Sequence, residues 1–370
     1  MIKKRVFWLT GSSLYDVDEK LVPALNKLYD IHWYVIVQRD SFYKSSDILR
    51  YMKEQHVKGT VVDWPRLRTI KSFCKFLEVA MIIKNRKYDL AYIDYLGIPY
   101  MFPLFYLLRL HKKKIVYACH DFIDHVKIEN RGFITNYKRF VFKKFPYFQL
   151  FSKTQLELFA KLYSKKLFFA PLALKGFGDS NLIKANDGKV TFLFFGKIQE
   201  RKGLEYLIKA ANIAYEHCPN KFTVKVCGAC ADWKKYEDMI KHPECFDLSI
   251  RRIENNEIPN LFALADYLVL PYKEVTQSGP LLISYNYNVP VIASRHPGFS
   301  EYISHGKTGF MFENADEKSL ASVMIEIIEG KYDMSEIKSN LASFIHDNVS
   351  LESIVKKYDD GFKMVINDKN

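Results

Sequence analysis

The residues at 267–270 form a short apolar run closed by Pro271, and a polar loop then brings Gln277, Ser278 and Gly279 to where the next helix must begin. Such a run reads as a buried strand that ends at the proline, which cannot donate to a ladder. Ser278 has the side chain of a helix cap, so backbone N–H groups and the positive end of a helix converge on this loop. The natural ligand of that arrangement is an anion, and a phosphate or diphosphate suits a strand, loop, helix, strand unit completed by the run 289–293. A second place for chemistry is His120-Asp121, just beyond the apolar run 115–118 and Cys119. Open α/β sheets carry their chemistry just beyond the carboxyl ends of strands; capping or closing a turn is the alternative use of that pair. Cys227 and Cys230 have the spacing of a redox dithiol. A zinc site with Cys218 and Cys245 would match no ribbon or finger, so buried structural thiols are the expectation.

These residues need strands to end beside them. In the first half, strands are expected at 5–10, 32–37, 88–94, 115–118, 146–151 and 167–170. Helical patterns fall at 20–28, at 66–84, with apolar Leu67, Ile70, Phe73, Leu77, Val79 and Met81, and at 98–110, which carries Pro99 and Pro103. Gly11-Ser12-Ser13 follows the first strand as a flexible turn. The polar stretch 176–188 reads as a linker. Beyond it the alternation resumes with a strand from Val190, a helix to about His217, strand 222–226, helix 233–240, strand 246–250, helix 259–265, strand 267–270, a helix closing at Asn288 and strand 289–293. Strands alternating with helical patterns of about 10 to 15 residues imply an α/β protein with two doubly wound parallel sheets. A last helix covers 351–365.

The run from Tyr267 to Glu301 resembles the donor-site signature of retaining GT-B glycosyltransferases of family 4 (glycosyltransferases group 1). Pro290-Val291-Ile292, Gly298, Glu301 and His305-Gly306-Lys307-Thr308-Gly309 fall in the family's order. Upstream, Phe194-Phe195-Gly196-Lys197 and Arg201-Lys202-Gly203-Leu204 are similar to the family's Gly-Arg and Lys-Gly pair. The likeness covers 190 to about 330, and a weaker one covers the rest. It implies two Rossmann-like domains facing a cleft: an acceptor-binding domain at 1–180, onto which a C-terminal helix at 350–370 packs back, and a nucleotide-sugar donor domain at 181–349. It implies transfer of a sugar from a nucleoside diphosphate sugar to an acceptor hydroxyl, with retention at the anomeric carbon. Carried over by position, Gly196, Lys197, Lys202, Gln277, Ser278 and Gly279 bind the donor diphosphate and Glu274 holds sugar hydroxyls. His120 faces the donor sugar with Asp121 orienting it, Arg252 and Ile253 lie near the base, and Gly11, Ser12 and Ser13 form the acceptor-side loop.

Most of that family has two glutamates with seven residues between them; Val275 and Ile283 stand at those places here, and Glu274 is one residue early. The Thr276-Gln277-Ser278-Gly279 form resembles a subgroup without the second glutamate. A second reading therefore stands beside the enzyme, that of a non-catalytic GT-B partner stabilising an active transferase. Asp16-Val17-Asp18 resembles the metal-binding Asp-x-Asp of the other main glycosyltransferase fold. Both aspartates precede 20–28, however, so caps and first-turn charges are expected of them. No metal and no cofactor is expected besides the nucleotide sugar.

The chain has 370 residues, 48% hydrophobic and 26% charged, enough for two globular domains that each bury a core. Its net charge of +13 is unevenly placed: residues 1–180 have 32 Lys and Arg against 16 Asp and Glu, and the remainder has 23 against 26. The first half therefore calls for an anionic partner. Between 127 and 166 cations interleave with aromatics, as in Lys138-Arg139-Phe140, Phe142-Lys143-Lys144-Phe145 and Phe148. Nucleic-acid binding could use this pattern, but no nucleic-acid module accompanies it. An amphipathic face lying on anionic lipid is expected instead, which suits a glycan or lipid-linked acceptor. The opening 1–13 alternates like a first strand rather than a secretory leader, and no uncharged apolar span reaches 18 residues. The expected location is cytoplasmic, peripheral on the inner face of the cell membrane.

Overall fold

The computed structural model describes residues 2–39, 41–66, 69–94, 101–120, 122, 131–185, 187–275 and 277–369, with the backbone alone at 131–135. It divides into two compact units, Met1–Ala173 with Val349–Asn370, and Leu174–Asn348.

The first unit is built on seven parallel strands: β1 (Arg5–Gly11), β2 (Asp30–Val37), β3 (Lys58–Asp63), β4 (Leu90–Asp94), β5 (Ile115–Cys119), β6 (Tyr147–Leu150) and β7 (Lys166–Phe169), in the order β3-β2-β1-β4-β5-β6-β7. Successive side chains of a strand point to opposite faces, and here both faces are covered. Val6, Trp8, Trp33, Val35 and Tyr92 pack on one side with Leu21 and Leu25 of the helix Tyr15–Asn26 and with Tyr358 and Phe362 of the last helix. Phe7, Leu9, Tyr34, Ile36 and Ile93 pack on the other with Phe76, Phe102 and Phe142. The last helix, Leu351–Ile366, is thus part of this unit's core. Gly361 is what lets it approach, because a Cβ there would lie 2.5 Å from the ring of Phe168. The Tyr29 hydroxyl donates to Asp359 at 2.7 Å and that of Tyr147 to Asp368 at 2.6 Å.

The second unit has six parallel strands: β8 (Val190–Phe195), β9 (Phe222–Cys227), β10 (Phe246–Ser249), β11 (Tyr267–Leu270), β12 (Val291–Ser294) and β13 (Gly309–Phe312), in the order β10-β9-β8-β11-β12-β13. Phe192, Phe194, Val224, Tyr267 and Ile292 bury one face against Leu207 and Ala211 of the helix Leu204–His217 and Leu320 and Met324 of the helix Glu317–Ile328.

Several expected boundaries move. The first helix begins at Tyr15 rather than at 20, with Leu14 as N-cap, so Asp16 and Asp18 are first-turn residues and neither is a cap. The pattern 66–84 is the helix Ile70–Asn85, capped by Thr69. The pattern 98–110 is a helix only at Met101–Leu107, and 95–100 lie outside the described residues. The pattern 233–240 contracts to one turn, Lys234–Glu237, because Asn212 bonds Met239 O at 2.9 Å and Lys241 N at 3.1 Å and draws that segment out of helical register. Helices Ser45–Glu54 and Met334–Asn348 and the strand β3 are additions to the expected set. Among the described residues no helix is long and apolar enough to cross a membrane.

Candidate functional site

In the second unit the strand order turns back between β8 and β11, and a doubly wound sheet has its crevice outside the carboxyl ends of the two strands at such a point. Gly196 follows β8 directly, and Pro271 follows β11. The backbone at Gly196 has φ +110°, open to glycine at no steric cost, and its N–H donates to Cys227 O at 2.9 Å. A Cβ at Gly228 would lie 2.1 Å from Gly196 O, so Gly228 is a close-approach glycine that seats the Gly196 loop. The 227–230 segment is therefore scaffolding. Cys218, Cys227 and Cys245 are buried free thiols and Cys230 is half-buried, as expected of structural cysteines, while Cys74 is exposed. Burial pushes the Cys227 thiol up to about 11, away from the range of a reactive thiolate.

Lys202 closes the 3₁₀ turn Glu200–Lys202 and turns its side chain inward, 8% exposed. Its Nζ lies 3.0 Å from where a Gly196 Cβ would be, and Pro280 Cγ lies 3.7 Å from the same point. The ammonium also stands 5.4 Å from the centre of the Tyr272 ring. Burial, with the charge of Arg201 adding to it, brings the Lys202 pKa down to about 8. Among the described residues its ammonium has neither an ion pair nor a hydrogen bond. The surrounding loops are fixed. Gly203, at φ +62°, leaves room for Pro271 O, which would be 2.0 Å from a Cβ. Lys273 N donates to Arg201 O at 2.9 Å, and Lys273 Nζ pairs with Glu205 at 2.6 Å. Tyr272 O accepts from Ser294 Oγ at 2.6 Å and lies 2.9 Å from His296 Nε2.

Ser278 is the N-cap of the helix Gly279–Asn286, and its Oγ accepts from Leu281 N at 3.4 Å. Pro280 has no N–H, so of the first-turn donors Gly279 N–H remains for a ligand, with the hydroxyl proton of Ser278 beside it. Gln277 is half-buried at the same helix end, and Thr276 lies outside the described residues. Lys197 and Glu274 are exposed. Ile283 is buried at 6% exposure, so the place of the second family glutamate is an apolar core position. Ile253 is half-buried. Arg252 is exposed, with Nε 3.8 Å from Glu254, while the neighbouring Arg251 forms a two-pronged pair with Glu257 at 2.9 and 2.5 Å.

In the first unit the strand order turns back between β1 and β4. His120, directly after β5, is buried, stacks on Phe151 with ring centres 4.0 Å apart, and has Nε2 2.6 Å from Asp94 Oδ1. Asp94 is the last residue of β4. It holds the imidazole and selects the tautomer with hydrogen on Nε2. Asp121, expected in that role, lies outside the described residues. Asp94 was the residue sequence reasoning passed over; its one signal is an acid closing an apolar strand. Asp18 is not the surface first-turn charge expected of it. Its carboxyl is 1% exposed and accepts from Trp8 Nε1 at 2.8 Å and Thr10 Oγ1 at 2.5 Å. Burial, then the neighbouring Asp94 charge, hold it well above the carboxylate range, which makes it a poor metal ligand. The 11–13 loop is pinned rather than flexible: Ser12 N donates to Ile36 O at 2.8 Å and Ser12 Oγ accepts from Gln38 N at 3.2 Å, leaving Ser13 exposed.

The cation and aromatic pattern is also corrected. Phe142, Phe145 and Phe148 are core residues, and Phe142 packs on Phe159 at 5.0 Å and Phe145 on Phe102 at 5.0 Å. Phe140 is half-buried. What faces water among the described residues of 136–145 is Asn136, Arg139, Lys143 and Lys144, with no apolar side chain exposed among them.

Two doubly wound parallel-sheet units, each with polar groups at the turning point of its strand order, define the GT-B architecture. Residues 189–330 match the family model of glycosyl transferases group 1. The chain is similar to an uncharacterized 41.2 kDa protein in the cps region of Klebsiella pneumoniae, 23% identical over 67% of this chain and 72% of that one. It is also similar to an uncharacterized glycosyltransferase of Methanocaldococcus jannaschii, 22% identical over 71% of each. The crystal structure of Anabaena HepE in complex with UDP and glucose shares the fold, with a TM-score of 0.70 at 14% identity over 98% of this chain and 100% of that one. With the group 1 match spanning Gly196, Lys202 and Ser278, the chain is a glycosyltransferase.

Proposed function

We propose that this chain is a retaining, family 4 glycosyltransferase that moves a sugar from a nucleoside diphosphate sugar to a hydroxyl of a glycan or lipid-linked acceptor in cell-surface polysaccharide synthesis. The observation that carries this reading is Lys202, a buried ammonium without a partner among the described residues, beside Gly196 and the first turn of the helix Gly279–Asn286. A diphosphate supplies the missing partner. Lys197 adds a second cation from the rim, and Gly279 N–H, Ser278 and Gln277 donate to the outer oxygens, where leaving-group charge grows. Donors fixed in advance at developing charge are usually the largest catalytic contribution, about 3 kcal/mol for one. With these groups at the diphosphate the reaction needs no divalent cation. His120, held by Asp94 and adjoined by Asp121, addresses the donor sugar; Glu274 binds its hydroxyls, and Arg252 and Ile253 take the base.

The complex of HepE with UDP and glucose supports a nucleoside diphosphate sugar as donor, and the cps-region relative supports a polysaccharide setting. Exposed Arg139, Lys143 and Lys144 support adsorption to the anionic inner face of the membrane, now by charge alone. The test is calorimetry of the full chain with a panel of nucleoside diphosphates and their sugars, followed by assignment of the product's anomeric configuration by NMR. One base should be preferred and the configuration kept. A chain that binds no nucleotide loses the donor assignment, and an inverted product removes the retaining mechanism.

A further inference from the structure

Outside the carboxyl ends of β1, β2 and β3, which are adjacent in the sheet, the first unit has a cavity of about 650 Å³. That volume lies within the range of about 300 to 1,000 Å³ usual for small-molecule sites. Each strand contributes residues from the loop that follows it: Ser13 after β1, Arg39, Phe42 and Tyr43 after β2, and Trp64 and Arg66 after β3. Its frame is rigid. The Ser12 loop is bonded to Ile36 and Gln38, and the Trp64 indole is buried against Phe76 with its Nε1 donating to Ser72 at 2.9 Å. Phe42, by contrast, is 60% exposed and stands edge-on to Tyr43 with ring centres 5.6 Å apart.

Two features of this lining point to a ligand. Arg39 and Arg66 are both exposed, and among the described residues neither has an ion pair or a side-chain hydrogen bond. Among the described residues of its lining, Asp16 is the one carboxylate beside the two guanidinium groups. A guanidinium offers paired donors that match a carboxylate or phosphate, whereas an exposed aromatic ring beside polar groups offers a flat face for the C–H side of a sugar ring. We propose that this cavity binds the acceptor and selects a saccharide bearing an anionic group, a phosphate, diphosphate or carboxylate, with Arg39 and Arg66 on the anion and Phe42 and Tyr43 against the ring. The acceptor role rests on the transferase reading above; the anion selectivity rests on the cavity alone.

The test is calorimetry with the full-length chain, titrated with glucose, glucose 6-phosphate and glucuronate, and with a glucose diphosphate-linked short-chain lipid in detergent micelles against the same micelles without it. Glucose 6-phosphate or glucuronate should bind about tenfold or more tighter than glucose, and Arg39→Ala and Arg66→Ala should each lower that affinity about tenfold. UDP affinity and melting temperature, which report the donor site and the fold, should stay as in the wild type. A lipid-linked form that binds tighter than the free sugar phosphate assigns the anion to a lipid diphosphate, and equal binding assigns it to a soluble sugar; both support the proposal. Glucose binding as tightly as its phosphate, or anionic sugars binding the double variant undiminished, overturns it. Loss of UDP binding with anionic selectivity intact would remove the donor reading and leave the cavity's preference standing.

Discussion

Replacing Lys202 with methionine separates what this lysine does to the fold from what it does for the donor. Its pKa falls from 10.5 to about 8 because the ammonium is buried without a counter-charge. That difference corresponds to about 3 kcal/mol by which the folded chain disfavours the charged form. The folded value lies below the unfolded one, so the penalty is complete below pH 8, shrinks as pH rises from 8 to 10.5, and is absent above. Methionine has a similar reach and no charge. At pH 7 Lys202→Met should therefore raise the melting temperature of the ligand-free protein, by roughly 2 to 4 °C for each kcal/mol recovered. The same change would remove the proposed charge-assisted contact to the diphosphate, worth about 1.5 to 3 kcal/mol, so the Kd for UDP should rise about ten- to a hundredfold. If a diphosphate binds at Lys202 as proposed, it holds a proton there, so UDP affinity in the wild type should fall by up to about tenfold per pH unit above 8, whereas the variant should show no such slope. Calorimetry with UDP from about pH 6.5 to about 9.5, beside thermal melts without ligand, measures all three effects. A variant that binds UDP as tightly as the wild type, or one that is less stable than the wild type when empty, refutes the unpaired buried ammonium.

The remaining expectations concern other parts of the chain. Asp94→Asn should lower kcat about a hundredfold or more while leaving UDP affinity unchanged, because the carboxylate positions His120; an unchanged kcat and pH profile would exclude that role. Transfer should continue in excess EDTA, and activity lost there and restored by manganese or magnesium would return a metal to the reaction. Sedimentation with phosphatidylglycerol vesicles should be strong at low salt and mostly lost near 1 M salt, where the Debye length is about 3 Å. Arg139→Glu with Lys143→Glu and Lys144→Glu should weaken it, and vesicle binding that survives high salt would contradict a purely electrostatic surface.

What was legible in the sequence was local. The strand Tyr267–Leu270 matches its expected bounds because four consecutive apolar residues meet a proline, and Ser278 caps the next helix because its side chain accepts from the N–H of Leu281, three residues on. What was not legible depended on partners distant in sequence. Asp18 reads as a first-turn charge until β1 lays Trp8 and Thr10 against it, and no periodicity shows that contact. Asp94 and His120 stand 26 residues apart and meet only because β4 and β5 are neighbours. The helix Arg131–Lys144 shows why amphipathicity alone misleads: Val141 and Phe142 are buried, as is Phe145 just past its end, while Arg139, Lys143 and Lys144 are exposed. Such a stripe packs against a protein core as well as against lipid, and the core of Phe102, Phe148 and Phe159 was already there to receive it.

The two proposed cationic sites would differ in how they choose a ligand. Lys202 is buried, so a neutral molecule in its place would leave an unpaired charge enclosed, and a buried charge without a partner is strongly disfavoured. An anion removes that penalty and gains a charge-assisted bond, so discrimination there comes from repulsion of the wrong ligand as well as attraction of the right one. Arg39 and Arg66 are exposed and hydrated when the cavity is empty. A neutral sugar there forgoes a favourable contact but encloses no bare charge, so selection is graded. The first arrangement suits a partner whose diphosphate is common to every turnover. The second suits an acceptor whose charge tunes affinity without being required for entry.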